Sequence, residues 1–253
     1  MPDRIYNFLL GKKSKGQKSF AILIDPDRTF NPGKLKQIAR LALQSRPDLI
    51  LVGGSYFLEN NMEKCILLLK DLCDIPVVLF PGHISHINYK ADALLFLSLI
   101  SGRNPEYLIG QHVIAAPGLK ASGMEIIPTG YVLVDGGCTT TVSYISFTNP
   151  IPQDLPGLVS ATAQAGELLG MKIIYLEAGS GAVNPVSPQI INEVSHAVSL
   201  PLIVGGGINT APKARQAFDA GADMIVIGNK IDDRPEFIEE IAYVTREVSR
   251  VTD

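Results

Sequence analysis

Eight short, unbroken apolar runs recur along this chain, most of them separated by helical patterns. They are "FAILID" (20–25), "LILVGG" (49–54), "VVLF" (77–80), "ALLFLSL" (93–99), "GYVLVD" (130–135), "KIIYLEA" (172–178), "LIVGGG" (202–207) and "MIVIGN" (224–229). Runs that do not alternate with polar residues indicate parallel strands buried on both faces. Parallel strands need crossovers, and "NPGKLKQIARLALQSRP" reads as one, with Asn31 as N-cap and Pro32 at the first helical position. "LPGLVSATAQAGELLG" is a helix closed by Gly170, "TAPKARQAFDAGA" begins after Thr210 and stops at Gly221, and "RPEFIEEIAYVTREVSR" is a further helix. Strand followed by helix, eight times over, predicts a (β/α)8 TIM barrel, and 253 residues suit one such domain spanning 1–253.

Two stretches break the repeat. "PGHISHINYKAD", between the third and fourth runs, has room for only a very short helix. The third helix is therefore expected to be short or missing, opening a groove in the barrel side. Residues 136–154, after the fifth run, carry no helical period. A loop of that length in a compact barrel is usually functional, often as a lid. "GMEII" (123–127) is expected to add a β segment before the fifth strand.

The charge balance, 22 Lys and Arg against 25 Asp and Glu, argues against a nucleic-acid footprint. Cys65, Cys73 and Cys138 have no metal-ligand spacing, and an odd count suits a reducing compartment. With no leader pattern, the expected location is cytoplasmic. The longest apolar run falls far short of the ~20 residues that span a bilayer.

In such a barrel the chemistry sits at the C-terminal strand ends. Strand 1 ends at Asp25 and strand 2 at Gly-Gly-Ser55; strand 6 ends at Glu177, followed by Gly179, Ser180 and Gly181. Strands 7 and 8 end in "VGGGIN" and "IGN". One Gly-rich end is an ordinary tight turn, but three on consecutive strands read as a phosphate site with backbone N–H donors. Asp25 reads as a functional carboxylate, since Asp27 or Asn31 can cap the adjoining turn. Ser55 reads equally as a ligand or as a helix N-cap. Glu177 closes an apolar strand, where an unpaired structural carboxylate is costly. His83 and His86 lack a third ligand, His112 and His196 fall in helical patterns, and no Ser-His-Asp or Cys-His apparatus is present.

"IDPDR", "LVGGS", "YLEAGSGA", "VGGGI" and "GADMIVIGN", in this order, resemble the geranylgeranylglyceryl phosphate synthase family, and the similarity covers almost the whole chain. Within it the chain is more like the longer, archaeal-type group, since Leu23 stands where the shorter heptaprenyl enzymes carry lysine. The resemblance implies a prenyltransferase joining the 3-hydroxyl of sn-glycerol 1-phosphate to a long-chain prenyl diphosphate. It implies Mg2+ as cofactor, with Asp25 and Ser55 as ligands. Tyr175, Leu176, Glu177, Ala178, Gly179, Ser180 and Gly181 match the glycerol-phosphate segment. Gly206 and Gly207 match the strand-7 loop, with the register among 205–207 open by one, and Gly228 and Asn229 match the strand-8 loop. Glu177 is then the general base, and the wall near strands 2 to 4 is where the prenyl tail would lie. Homo-oligomers are usual in the family, and an amphiphilic product is compatible with transient membrane contact. Three rival readings use the same loops: a sugar-phosphate isomerase or epimerase pairing Asp25 with Asp135, a flavin oxidoreductase, and a non-catalytic phosphate-ligand binder.

Overall fold

The structure, a computed structural model, describes residues 4–57, 59 and 61–250. The chain runs α1 (Arg4–Ser14), β1 (Ser19–Ile24), α2 (Pro26–Thr29), α3 (Pro32–Ser45), β2 (Leu49–Gly54), α4 (Met62–Leu72) and β3 (Val77–Pro81). A 3-10 turn (Ile84–His86) leads to β4 (Ala93–Leu99), and a π-helical turn (Glu106–Gly110) leads into α5 (Gln111–Ser122). Next come β5 (Glu125–Leu133), α6 (Thr141–Ser146), α7 (Pro156–Leu168), β6 (Ile173–Glu177) and α8 (Pro188–Ala197). The chain continues with β7 (Leu202–Gly205), α9 (Ala211–Asp219), β8 (Met224–Ile227), α10 (Asn229–Asp233) and α11 (Phe237–Arg250). All eight strands pair in parallel, each with its neighbour in sequence, and β8 closes onto β1.

The expected caps hold. Asn31 accepts from the N–H groups of Gly33 and Lys34 at the start of α3, and Thr210 from that of Lys213 at the start of α9. Only the 3-10 turn stands where the third helix would be. Two expectations need correction. "GMEII" adds no separate segment, because from Glu125 it is the first half of a nine-residue β5. The stretch after β5 holds α6, six residues long, started by a reciprocal capping box between Thr140 and Ser143.

Successive side chains on a strand point to opposite faces, so the barrel has two apolar cores. Leu51, Val78, Leu95, Tyr175 and Val226 fill the interior; Ile22, Val52, Leu79, Leu176 and Ile225 meet the helices. The interior also receives Ile5 and Leu9 of α1, a helix absent from the strand–helix repeat. Glu125, at the start of β5, accepts the N–H groups of Ile5 and Tyr6, both at 2.8 Å. Lys12 and Lys13 bind Asp48 and Asp223 at 2.5 and 2.7 Å. Helix α1 is thereby fastened beneath the barrel, at the end away from the glycine loops. No helix among the described residues is long and apolar enough to cross a membrane.

Candidate active site

A cavity opens at the C-terminal strand ends, and alternation along β6 decides which residues reach it. Tyr175 and Glu177 point in, whereas Leu176 and Ala178 pack outward among the helix-facing side chains. Those last two side chains therefore do not line the site, although both belong to the segment matched by resemblance. The Ala178 N–H is committed to the Gly205 carbonyl at 3.1 Å.

Phe80, Tyr131 and Tyr175 form an aromatic floor, with ring centroids 5.1–5.9 Å apart. Burial, reinforced by the Glu177 charge, raises both phenols well above their ordinary pKa, so they stay protonated. The buried Tyr175 hydroxyl makes no hydrogen bond of normal geometry and ends beside the Glu177 carboxylate.

Glu177 is 6% exposed. Its Oε1 accepts the Gly179 N–H at 2.6 Å, so the first donor of the glycine turn serves the carboxylate itself. Burial pushes its pKa up to about 7, against the opposing effects of the Gly179 bond and the Tyr175 hydroxyl. A carboxyl that takes a proton near neutrality stands beside an anion site at reduced electrostatic cost. Gly206, at φ 81°, keeps the room this requires, since a Cβ there would lie 2.3 Å from Oε1.

Gly179, Ser180, Gly181, Gly206, Gly207, Gly228 and Asn229 all line the cavity. Within "VGGG", Gly205 ends β7 beneath Tyr175, and the next two glycines form the turn and line the cavity. Among the described residues, the N–H groups of Gly206, Gly207, Gly228 and Asn229 have no intramolecular acceptor. Asn229 Nδ2 donates to Ser180 Oγ at 2.9 Å, joining the strand-6 and strand-8 loops. Converging free N–H groups of this kind cradle phosphate.

Asp25 and Ser55 line the same cavity from the adjacent strands β1 and β2. Asp25 caps α2 after all, its Oδ1 accepting the Asp27 N–H at 3.0 Å, while Oδ2 lies towards Gly54. Burial raises its pKa, offset in part by the backbone bonds from Asp27 and Arg28. Ser55 is no helix cap, because α4 begins at Met62. The cavity wall carries four carboxylates, Asp25, Asp27, Glu177 and Asp232, against two cations, Arg28 and Lys230. Among the described residues, no three His, Cys, Asp or Glu side chains converge to hold a metal by themselves. The donor set fits Mg2+, which needs only one or two carboxylates when substrate oxygens and water complete its shell.

Beside the missing helix an apolar groove of about 810 Å³, part of it open to solvent, runs over the outer face of β4. Ile84, Ile87, Leu94, Phe96 and Ala115 line it, and it shares Gly54, Ser55, Phe80, Tyr131 and Val142 with the polar cavity. The two spaces therefore adjoin along these residues.

Asp135 does not join Asp25. It lies outside the cavity with its Oδ1 on the Gly137 N–H, which removes the acid–base pair an isomerase would use. His86 is buried against Phe57, and burial lowers its pKa to about 4; His112 packs edge-on against Phe96 in the groove wall. Sequence reasoning missed Arg28, Thr140 and Asp232. Arg28 was visible as the last letter of "IDPDR", Thr140 only through its capping box with Ser143, and Asp232 carried no local signal.

The chain matches the PcrB family over residues 13–245. It is 52% identical over 242 residues to the geranylgeranylglyceryl phosphate synthase of Chitinophaga pinensis, with 96% of each chain covered. The protein of the same name from Pyrococcus abyssi is 40% identical over 236 residues, covering 93% of this chain and 92% of that one. Among solved structures, (S)-3-O-geranylgeranylglyceryl phosphate synthase from Thermoplasma acidophilum, in complex with substrate sn-glycerol-1-phosphate, matches with a TM-score of 0.89 at 34% identity. The match covers 96% of this chain and 98% of that one.

Proposed function

This chain belongs to the PcrB family, and from that premise we propose that it transfers a geranylgeranyl group from its diphosphate to the 3-hydroxyl of sn-glycerol 1-phosphate, releasing diphosphate. One observation carries the reading: a cradle of backbone N–H groups lies in a cavity that adjoins an apolar groove, with a buried carboxylate, Glu177, on the cavity wall.

The free N–H groups of Gly206, Gly207, Gly228 and Asn229 hold the phosphate, and the Ser180–Asn229 bond fixes the spacing of two of these loops. The phosphate orients the glycerol so that its 3-hydroxyl meets Glu177. Positioning of this kind supplies several kcal/mol of barrier reduction. Glu177 takes the hydroxyl proton as the new C–O bond forms, and the departing diphosphate keeps the electron pair of the allylic C–O bond. Phe80 and Tyr131 lie at the junction of cavity and groove, where they exclude water from the allylic cation. Asp25 and Ser55 are the residues that would hold Mg2+, which when bound neutralises charge on the leaving group. The prenyl tail lies in the groove, where each buried CH2 contributes ~0.8 kcal/mol. On the same reading the enzyme is a cytoplasmic homo-oligomer that touches membranes transiently to release its product, as sedimentation and vesicle co-flotation would test.

The direct experiment is incorporation of labelled sn-glycerol 1-phosphate into lipid-extractable product with C15, C20 and C35 diphosphates, against sn-glycerol 3-phosphate. Product from the 1-phosphate with the C20 donor is expected. No product from any donor would refute the reading.

A further inference from the structure

Asp232 of α10 stands over the seam between β8 and β1. Its Oδ1 accepts the Thr29 hydroxyl at 2.6 Å and pairs with Lys34 Nζ at 3.1 Å. Its Oδ2 faces Arg28 Nε at 3.9 Å, close enough for charge attraction but too long for a hydrogen bond. Asp232 thus anchors the neck of the Arg28 side chain and leaves the fork unused: among the described residues the two Nη groups have no partner. The Arg28 side chain is 49% exposed and lines the cavity three residues after Asp25.

The location selects the ligand. The glycine cradle lies on the β6–β8 side, whereas the apolar groove adjoins the cavity at Gly54 and Ser55, on the β2 side. A substrate whose tail enters that groove places its head group at the β1–β2 edge, beside Asp25 and Arg28. The head group of the donor is a diphosphate, which gains a further negative charge when the carbon–oxygen bond breaks. A planar fork with free N–H pairs binds such oxygens two at a time, which the single charge of a lysine does not.

We propose that Arg28 binds the diphosphate of the donor substrate and stays with it as it leaves, and that Asp232 is the positioning residue that aims it. This rests on the prenyl-transfer reading above. The test is calorimetric titration of inorganic diphosphate, with Mg2+ and separately with chelator, into wild type, Arg28→Ala, Arg28→Lys and Asp232→Asn. Titrations of sn-glycerol 1-phosphate and thermal melts run in parallel. Loss of a charge-assisted bidentate contact should weaken diphosphate binding ~30-fold or more in Arg28→Ala and less in Arg28→Lys, with glycerol 1-phosphate affinity held within about twofold. Asp232→Asn should weaken diphosphate selectively, by ~3-fold or more, and Asp232→Glu should restore it. Wild-type diphosphate affinity in Arg28→Ala, equal loss of both ligands, or no diphosphate binding by wild type would each overturn the proposal. Selective loss in a protein that forms no prenyl product would leave the diphosphate site standing and refute the reaction.

Discussion

The methyl group of Thr140 lies 2.4 Å from the point where a Cβ on Gly179 would sit. The N-cap of α6 is thus seated on the phosphate turn, and α6 in turn contributes Val142 to both the cavity and the groove. The glycine is required twice over, by this contact and by its φ of 97°.

Gly179→Ala should therefore raise KM for glycerol 1-phosphate ~10- to 100-fold, as strain of about 1–3 kcal/mol predicts. Adding Thr140→Ser, which removes the clashing methyl, should recover part of the loss. Steady-state kinetics on the two variants would show it, and wild-type KM in Gly179→Ala would mean that the turn moves freely.

Glu177, with a pKa pushed to about 7, should give kcat/KM a limb that rises through neutral pH as the base loses its proton. Glu177→Gln should abolish that limb and cost ~100-fold or more in turnover, the range for a positioned general base. The limb's disappearance in the variant separates it from titration of the substrate phosphate, near pH 6. Stability follows the same shift. The folded protein holds the Glu177 proton more tightly than the unfolded chain, so this contribution is full below pH 4.5 and is lost as pH rises to about 7. Glu177→Gln should accordingly melt higher than wild type at pH 8 and gain less at pH 4.5. An identical difference at both values would contradict the buried ionisation.

If Asp25 is a metal ligand, Asp25→Asn should shift the Mg2+ concentration for half-maximal turnover upward by ~10-fold or more, and Ser55→Ala by less, since a carboxylate outweighs a hydroxyl for this ion. A metal titration that does not move in Asp25→Asn would leave the residue as a cap for α2 and nothing more.

Glu125→Gln tests the underside of the barrel. Replacing the carboxylate weakens two charge-assisted bonds to the N–H groups of Ile5 and Tyr6. The expected cost is about 1–3 kcal/mol in a denaturant melt, with kcat unchanged. A parallel fall in kcat would show that α1 influences the opposite end of the molecule.

Much of the site was legible because its signals are local. A carboxylate closing an apolar strand, glycines after strands 6, 7 and 8, and Asp25 after strand 1 need only strand polarity to be placed at one rim. Parity along β6 could also have separated Tyr175 and Glu177 from Leu176 and Ala178, because a period of two is a property of the strand itself. The short helix α6 escaped because six residues hold too little apolar pattern, and its signal was the Thr140–Ser143 capping box.

The sequence by itself determined eight buried parallel strands, the gap where a helix is missing and the end of the barrel that carries the chemistry, since all of these follow from hydrophobic period, turn residues and chain direction. Barrel closure decided the rest. It set Arg28 against Asp232 across the β8–β1 seam, Thr140 against Gly179 above the rim, and Glu125 under α1, while leaving Asp135 outside the cavity. These pairings join residues far apart in the chain. Nothing in the neighbouring sequence encodes them, because each exists only once the strands have taken their register and the ring has closed.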